Sequence, residues 1–405
     1  MHKTMILFPG QGAQFTGMGR ALYDHYPIIK RTFDEASDIL DFSVSNLCFS
    51  GTSEQLKRTI NAQIAIFVLS VAAYRQLQNM HQLAPEIMGG HSLGEYSALA
   101  SSGAASFEDL LRVVHYRAQV MEEVADSGNG AMFAVEYEVK GLQHIEQECA
   151  DLRLNDMQIW IGAYNSDNQI VLTGKRSDLM SAETKWKERG YKVIPLQVSG
   201  AFHSPLMHEA GELLGRRLRT IEWSPPRCTI ISNVTGQAYT GADCIVENLE
   251  MQLTKPVLWT KSMETAIRHG VTHLTSMPPK NIFQKMLQYI EGVNVHALSS
   301  VDDFENYQKN DESEIYNHLL SIAAGTRNYN KDVAEYDRTV VRAYKELEAI
   351  KYSFSSARGT AEDRIHRAGL LFLTILENKK IPLESKTTIL HALHRKYNLR
   401  IESQG

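Results

Sequence analysis

A serine flanked by glycines is the first group in this sequence that could carry out covalent chemistry. It lies in the segment Gly90-His91-Ser92-Leu93-Gly94, which matches the pattern G-x-S-x-G. Small residues around a serine permit the sharp, strained strand-to-helix turn that exposes a hydroxyl above a sheet. Ser92 is therefore the candidate nucleophile, although so short a pattern also arises by chance in a chain of this length.

An arginine on an apolar helix face is the second candidate. Ser106 is a favourable N-cap for a helix that continues to about Val124. Arg117 falls within the apolar stripe of that helix, and a buried guanidinium is costly unless an anion meets it. It could clamp a substrate carboxylate through two hydrogen bonds, pair with an internal carboxylate, or extend to solvent. The stripe consists of Leu110, Val113, Val114, Met121 and Val124.

A histidine in a loop is the third candidate. His203 lies in the segment Ser199–Pro205, directly after a predicted strand. Loops that follow strands commonly carry catalytic residues, so His203 could act as a general base toward Ser92 across a cleft. The chain contains 15 histidines, and an ordinary solvated side chain is the alternative.

The elements that must position these residues are predicted from local patterns. The apolar run Ile87–Gly89 predicts a strand before the serine, and the small residues from Glu95 to Gly103 predict a helix that ends at a glycine. Near the N-terminus, a strand over Thr4–Phe8 precedes Gly10 and Gly12. A dinucleotide-binding loop is disfavoured there, because Phe15 replaces the third glycine of that pattern.

Composition limits the possible classes of protein. With 405 residues, 43% hydrophobic and 22% charged, the chain is predicted to form two or three globular units. A net charge of −5 disfavours binding to nucleic acid. The four cysteines lack the spacing of a zinc site or a disulfide framework. We expect a cytoplasmic protein without a signal peptide, a membrane span or a metal site.

The predicted fold class is α/β. A hydrolase-like core with a short parallel sheet and a serine elbow is expected over residues 1–126 and 199–297. A helical extension is expected over 314–405 after a polar linker at 298–313. Between the two parts of the core, residues 127–198 show the order βαββαβ of an inserted ferredoxin-like subdomain. Its predicted elements are Ala131–Val135, Val139–Cys149, Gln158–Tyr164, Gln169–Thr173, Ser177–Arg189 and Lys192–Val198.

Taken together, the motifs resemble those of malonyl-CoA:acyl carrier protein transacylases in order and spacing. The resemblance spans about Met5 to Ile290, and several ordered motifs are far more specific than any one of them. They are Gly10–Gln14, Gly90–Glu95, Arg117, Ala201–Ser204, Asn233–Gly236 and Gln252–Trp259.

This resemblance implies roles for individual residues. Ser92 would form the acyl-enzyme, and His203 would activate it. The imidazole would be oriented by the main-chain carbonyl of Gln252, so no acidic third member is expected. The remaining implied roles are oxyanion-hole N–H donors for Gln11 and Leu93, a carboxylate-binding side chain for Arg117, and pocket-lining positions for Gln63, His91, Asn165 and Phe202, the last as the malonyl-selecting form of its motif.

The implied reaction transfers malonyl from malonyl-CoA to the phosphopantetheine thiol of an acyl carrier protein, in fatty acid, polyketide or lipopeptide synthesis. It requires no bound cofactor, and a monomer is expected. The alternatives are an acyl hydrolase of the same fold, which clears carrier proteins, and a catalytically inactive docking scaffold. An inward-facing Arg117 favours the transferase, since a hydrolase of neutral acyl chains needs no buried cation.

Two regions depart from the family pattern. Met277-Pro278-Pro279 replaces the usual Gly-Pro-Gly, so we expect this loop to follow another path. Beyond about Ala297 the resemblance ends. The helical extension resembles tails on stand-alone acyltransferases that serve modular synthases in trans, and packing for stability alone is the alternative. Its predicted helices are Glu314–Ala324, Asp332–Tyr352, Ala361–Glu377 and Leu383–Tyr397.

Overall fold

The computed structural model of the protein describes residues 3–81, 83, 85–125, 128–138, 141–288, 290, 293–352, 361–397, 399 and 401. The chain divides into two compact units, Lys3–Val301 and the residues from Asp302 onward. All four tryptophans lie in the first unit.

A five-stranded parallel sheet forms the centre of the first unit, in the spatial order β7-β2-β1-β8-β9. The strand β1 is central, and Met5 to Phe8 within it are fully buried. Such a continuous apolar run is typical of a parallel strand that is covered on both faces. The five strands are β1 Lys3–Phe8, β2 Ile87–Gly90, β7 Thr229–Ile230, β8 Val271–Ser276 and β9 Asn294–Ala297.

Among the described residues of the first unit, thirteen α-helices accompany this sheet and the smaller sheet described below. They are α1 Arg20–His25, α2 Pro27–Leu40, α3 Val44–Ser50, α4 Ser53–Lys57, α5 Thr59–His81, α6 Leu93–Ser102, α7 Phe107–Ala125, α8 Leu142–Leu154, α9 Arg176–Glu188, α10 His208–Leu218, α11 Asp243–Gln252, α12 Trp259–Arg268 and α13 Phe283–Leu287.

Helical spacing of apolar residues predicts one helix over 20–40 and another over 52–80, and both are broken in the structure. The segment 20–40 is interrupted before Pro27, because a residue that precedes proline is driven out of the helical region, and Tyr26 accordingly has φ −111° and ψ 113°. The segment 52–80 is interrupted at Arg58, which is extended with φ −62° and ψ 132°. Hydrophobic spacing continues across both breaks and therefore did not reveal them.

Helix α5 bears on the expectation that the chain has no membrane span. Within the described part of the chain, it is one helix that is long and apolar enough, by length and composition, to cross a bilayer. However, 83% of its apolar window is buried inside the protein. It is a core helix, and the apolar residues around most of its circumference are buried against neighbouring elements.

The inserted ferredoxin-like subdomain is confirmed. Its strands pair antiparallel in the order β4-β5-β3-β6, which is the ferredoxin-like arrangement. Helices α8 and α9 cover one face, where Trp186 is fully buried among apolar residues. The strands are β3 Gly130–Glu136, β4 Ile159–Ser166, β5 Gln169–Lys175 and β6 Lys192–Pro195, the last shorter than predicted.

The segment 277–279, which differs from the family pattern, directly follows strand β8 of the central sheet. Met277 is fully buried, and its N–H donates to the carbonyl oxygen of Leu7 at 2.8 Å. The carbonyl oxygen of Pro278 accepts a hydrogen bond from the Ser70 hydroxyl at 2.7 Å. Apolar packing and backbone pairing thus hold this segment beside β1.

The interval 298–313 was predicted to be a linker, and this was wrong. Helix α14 covers Val301–Glu305 and helix α15 covers Tyr307–Gly325. Glu305, Gln308, Lys309 and Glu312 are good helix formers, but we interpreted the polarity of the whole stretch as a loop signal. The helical extension itself is confirmed, with further helices α16 Val333–Tyr336, α17 Arg342–Tyr352, α18 Ala361–Asn378 and α19 Leu383–Tyr397, and a π-helical segment Asp337–Val341.

Close packing at Gly94 generates a prediction about stability. A Cβ atom at this position would overlap the carbonyl oxygen of Phe8, because α6 crosses the end of β1 in direct contact. We expect Gly94→Ala to lower the free energy of unfolding of the first unit by about 1–3 kcal/mol or more, as overpacking does. Urea unfolding followed by tryptophan fluorescence measures this unit alone.

Gly241→Ala is the matched control, since a Cβ there meets nothing within 4 Å. It should change the free energy of unfolding by less than about 0.5 kcal/mol. Equal stability of the two variants would contradict the close packing of α6 on β1.

Candidate active site

The serine lies at a strained turn between β2 and α6. Ser92 has φ 52° and ψ −105°, a conformation that costs free energy for any residue other than glycine. The Asn233 side chain holds the turn from both sides. Its Oδ1 accepts from the Ser92 N–H at 2.6 Å, and its Nδ2 donates to the Gly90 carbonyl at 2.8 Å. The predicted strand, elbow and helix therefore lie where the motif placed them.

His203 faces the serine in hydrogen-bonding geometry. Its Nε2 lies 2.8 Å from Ser92 Oγ, and its Nδ1 lies 2.7 Å from the main-chain oxygen of Gln252 at the end of α11. A carbonyl oxygen can only accept, so it requires the proton on Nδ1. The unprotonated Nε2 is then directed at the Ser92 hydroxyl, which is the arrangement that a general base requires.

The electrostatic environment keeps this histidine neutral. Burial, reinforced by the positive charge of Arg117, lowers the pKa of His203 to about 3. The imidazole is 6% exposed. It is therefore in the basic form across the whole neutral range, before any substrate is bound.

Arg117 is buried, which excludes the solvent-extended alternative. It is 1% exposed, and burial lowers the pKa of its guanidinium. Its Nη1 donates to Gln63 Oε1 at 2.7 Å. Its Nη2 donates to Gln252 Oε1 at 3.0 Å and to Ser92 Oγ at 3.2 Å. These acceptors are neutral, so a positive charge lies beside the Ser92 hydroxyl and, among the described residues, no carboxylate is in hydrogen-bond contact with it.

Four further residues were expected to line the pocket. Gln63, from α5, contacts Arg117 directly as described. His91 Nε2 lies 2.9 Å from Asn165 Oδ1 at the end of β4, which joins the elbow to the inserted subdomain. Phe202 is buried immediately before His203, and its carbonyl accepts from the Thr173 hydroxyl at 2.7 Å. Their roles toward substrate stay predictions.

The two expected oxyanion donors lie on adjacent turns. Gln11 follows β1, and Leu93 is the first residue of α6, where N–H groups lack an acceptor within the helix. A hydrogen bond of 3.1 Å from the His91 N–H to the Phe8 carbonyl joins the two turns. A cleft of about 360 Å³ opens at Gln11 and is lined by residues of both the core and the inserted subdomain, including Phe15, Leu56 and Leu196.

Sequence reasoning assigned no role to Glu95, Asn233 or Tyr239, although Asn233 and Tyr239 both donate hydrogen bonds to Glu95 in the site. Glu95 is 1% exposed and accepts from the Tyr239 hydroxyl at 2.5 Å. The available signal was the position of Glu95 in the first turn of α6, three residues after the nucleophile, where a carboxylate on a buried helix requires partners.

A strained serine, a neutral histidine oriented by a carbonyl, and a buried cation beside them define an enzyme of serine-dependent acyl transfer. The profile of the family described as "Acyl transferase domain" matches residues 5–312. The chain belongs to that family and, within it, to the malonyl CoA-acyl carrier protein transacylases. This confirms the resemblance that was seen in the sequence.

Individual relatives support this assignment. A "Malonyl CoA-acyl carrier protein transacylase" of Bacillus subtilis is 31% identical over 402 residues, covering 96% of this chain and 100% of the relative. One from Escherichia coli (strain K12) is 35% identical over 293 residues, covering 72% of this chain and 93% of the relative. The first relative thus extends through the C-terminal helices, whereas the second does not.

Solved structures agree with the fold. A transacylase from Clostridium perfringens has a TM-score of 0.72 and 32% identity, covering 78% of this chain and 99% of its own. A complex of a type II PKS acyl-carrier protein with its malonyl-transacylase gives a TM-score of 0.72 and 30% identity, covering 76% of this chain and 99% of the matched chain.

The prediction that Ser92 is the nucleophile can be tested by mass spectrometry. We expect Ser92→Ala to abolish the covalent adduct that forms with malonyl-CoA, because the change removes only the nucleophilic oxygen. Intact-mass spectrometry after mixing measures the adduct, and an unchanged melting temperature shows that the fold persists. A malonyl adduct on the variant would exclude Ser92 as the nucleophile.

The histidine should contribute the share that is typical of general acid–base catalysis. We expect His203→Ala to slow malonyl loading by roughly 10²- to 10⁴-fold. Rapid quench of the loading reaction gives the rate constant. His208→Ala is the control, since that histidine is exposed on α10. Equal rates for the two variants would mean that another group is the base.

Proposed function

We propose that the protein transfers malonyl from malonyl-CoA to the phosphopantetheine thiol of an acyl carrier protein through a Ser92 ester. The observation that carries this proposal is the buried guanidinium of Arg117, 3.2 Å from the nucleophilic oxygen. A carboxylate on the acyl group would supply the anion that this charge lacks in direct contact. Malonyl carries such a carboxylate, and acetyl does not.

The first half-reaction follows from the geometry. Ser92 Oγ attacks the thioester carbonyl while His203 Nε2 accepts its proton. Backbone N–H groups of Gln11 and Leu93 stabilise the oxyanion of the tetrahedral intermediate. As the carbon–sulfur bond breaks, the imidazolium returns the proton to the coenzyme A sulfur, which leaves as a thiol. The malonyl group remains as an ester on Ser92.

The second half-reaction reverses these steps with another thiol. His203 Nε2 accepts the proton of the carrier's phosphopantetheine thiol, and the sulfur attacks the ester. The carbon–oxygen bond breaks, and Ser92 Oγ recovers its proton from the imidazolium. Because coenzyme A leaves before the carrier thiol reacts and the malonyl group stays on Ser92 in between, the reaction is ping-pong, and one base serves both halves.

The hydrolase alternative is less well supported. It would require water as the second acceptor and a neutral acyl group, for which a desolvated cation beside the serine is unfavourable. The relatives are named for transfer to acyl carrier protein, and one solved relative is bound to such a carrier. Intact Ser92 and His203, in hydrogen-bond contact, also disfavour an inactive scaffold.

We further propose that residues 3–301 form the catalytic unit and that the helices beyond act with a carrier protein or synthase, or stabilise the chain. The buried apolar core within that second unit, including Tyr316, Phe372 and Leu376, supports an independently packed module. A cytoplasmic location is supported by four free cysteines, which are typical of a reducing compartment.

Acyl selectivity tests the proposed substrate. A hydrogen bond to a charged group contributes about 1.5–3 kcal/mol, so we expect Arg117→Ala to reduce the ratio of kcat/KM for malonyl-CoA over acetyl-CoA by roughly ten- to hundredfold. The loss should come from malonyl. Acetyl should load as well as before, because the cation that opposed a neutral group is gone.

Arg153→Ala is the matched control. Arg153 is an exposed arginine of the inserted subdomain that donates to the Ile159 carbonyl at 3.1 Å. Its loss should leave the malonyl-to-acetyl ratio unchanged. If the ratio is also unchanged in Arg117→Ala, the guanidinium is structural and a dicarboxylic substrate loses its main support.

A further inference from the structure

Glu95 is a buried carboxylate that the transfer mechanism does not use. It lies in the first turn of α6 and is 1% exposed. Three donors converge on it: the Tyr239 hydroxyl at 2.5 Å, the Gln252 side-chain Nε2 at 2.6 Å, and the Asn233 backbone N–H at 3.3 Å. Each oxygen is therefore hydrogen-bonded, which is what an ionised carboxylate needs when it is taken out of water.

Two of these donors belong to residues that also hold the reacting groups. Asn233 accepts from the Ser92 N–H through its side chain, and Gln252 accepts from His203 through its main-chain oxygen. The Gln252 Nε2 also donates to the Ser92 carbonyl at 3.1 Å. Glu95 thus joins the elbow to two segments that are distant in sequence.

The Gln252 amide is where the direction of the hydrogen bonds matters. An amide has an NH₂ end that donates and an oxygen end that accepts. Here the NH₂ end faces Glu95, and the oxygen end accepts from Arg117 Nη2 at 3.0 Å. An ionised carboxylate only accepts, so it fixes the NH₂ end toward itself and thereby directs the oxygen toward the guanidinium.

We propose that Glu95 is a positioning residue for malonyl selectivity: its carboxylate fixes the Gln252 amide, and the amide oxygen holds the Arg117 guanidinium beside Ser92. This inference rests on the proposed function, because it assigns the arrangement that lets Arg117 receive the substrate carboxylate. Glu95 itself does not touch the acyl group.

Charge supports the same assignment. The carboxylate and the guanidinium attract each other through the intervening amide, which offsets part of the desolvation of both. Burial raises the pKa of Glu95 to about 7, while hydrogen bonds from Tyr239, Gln252 and Asn233 and the charge of Arg117 lower it. Tyr239 and Tyr96 are titratable neighbours of Glu95, and burial raises the pKa of both phenols, that of Tyr96 to about 12. Glu95 therefore gains a proton as the pH falls through about 7.

Protonation of Glu95 would allow the direction of its hydrogen bond with the Gln252 amide to reverse. A carboxylic acid donates a hydrogen bond, so the Gln252 amide is no longer forced to present its NH₂ end. The isosteric variant Glu95→Gln imitates this state permanently. The single side-chain oxygen of the new glutamine in this variant cannot accept from all three donors that surround Glu95 in the wild-type protein. In addition, the NH₂ group of the new amide must face one of those donors.

The test compares Glu95→Gln with Glu148→Gln. Glu148 is a matched control, since it is also a buried carboxylate, 6% exposed, and its partners Lys185 and Arg189 lie in the inserted subdomain. We expect Glu95→Gln to lower the malonyl-to-acetyl ratio of kcat/KM by about tenfold, the size of one charge-assisted hydrogen bond. Glu148→Gln should leave the ratio unchanged whatever it does to the melting temperature.

The pH profile of malonyl loading adds a readout that a purely structural carboxylate would not move. The rate should fall in the wild-type protein as the pH drops through about 7, and this acid limb should be absent in Glu95→Gln. His203 cannot produce the limb, because its pKa lies far lower. An acid limb that is identical in both proteins would overturn the proposal.

A second variant keeps the test decisive if Glu95→Gln does not fold. Gln252→Ala retains the main-chain oxygen for His203 and removes only the amide, so it should lower the malonyl-to-acetyl ratio by about tenfold as well. An unchanged ratio in the folded variants overturns the role of Glu95. A wild-type protein that loads acetyl as well as malonyl would instead contradict the proposed function.

Discussion

A positive charge that is almost wholly removed from water is the constraint on which this active site depends. The Arg117 guanidinium is 1% exposed and lies 3.2 Å from the nucleophilic oxygen. A buried charge is tolerated only if hydrogen-bond acceptors surround it. The protein provides them as neutral amides, from Gln63 and Gln252, rather than as a direct carboxylate. A direct ion pair would satisfy the arginine internally, whereas neutral acceptors leave its charge available to an anionic acyl group.

The charge of Arg117 also affects the hydrogen-bonded pair of Ser92 and His203. It contributes, after burial, to the low pKa of His203, so the imidazole is neutral and its Nε2 is free to accept the serine proton. A main-chain carbonyl orients the ring without adding a negative charge. A carboxylate in that position would raise the pKa of His203 and attract Arg117 away from the substrate. The absence of a triad acid is therefore consistent with a site that selects a dicarboxylic acyl group.

Packing behind the elbow makes the strained serine possible. Gly90 and Gly94 allow α6 to contact the ends of β1 and β2 directly, where any Cβ would overlap backbone atoms. The strain at Ser92 persists because Asn233 bonds both sides of the turn and Glu95 anchors Asn233 and Gln252. Asn233 and Glu95 thus help to hold Ser92 and Gln252 in position.

Much of this was determined by the sequence itself. Three features are local patterns: the G-x-S-x-G turn, the alternation of short elements in the inserted subdomain, and the apolar stripe around Arg117. Such patterns can be predicted from the sequence because they depend on residues that are close together along the chain. The order and spacing of the motifs were enough to predict the family. The breaks at Tyr26 and Arg58 and the helices over 301–313 were not recovered, since hydrophobic spacing and polarity describe burial rather than backbone continuity. Only the tertiary structure decided which acceptors surround Arg117 and which way the Gln252 amide points. Those contacts join residues as far apart as Glu95 and Gln252, which are separated by 157 positions along the chain. Only the topology of the fold brings such residues together, so a local sequence pattern cannot predict a hydrogen bond between them.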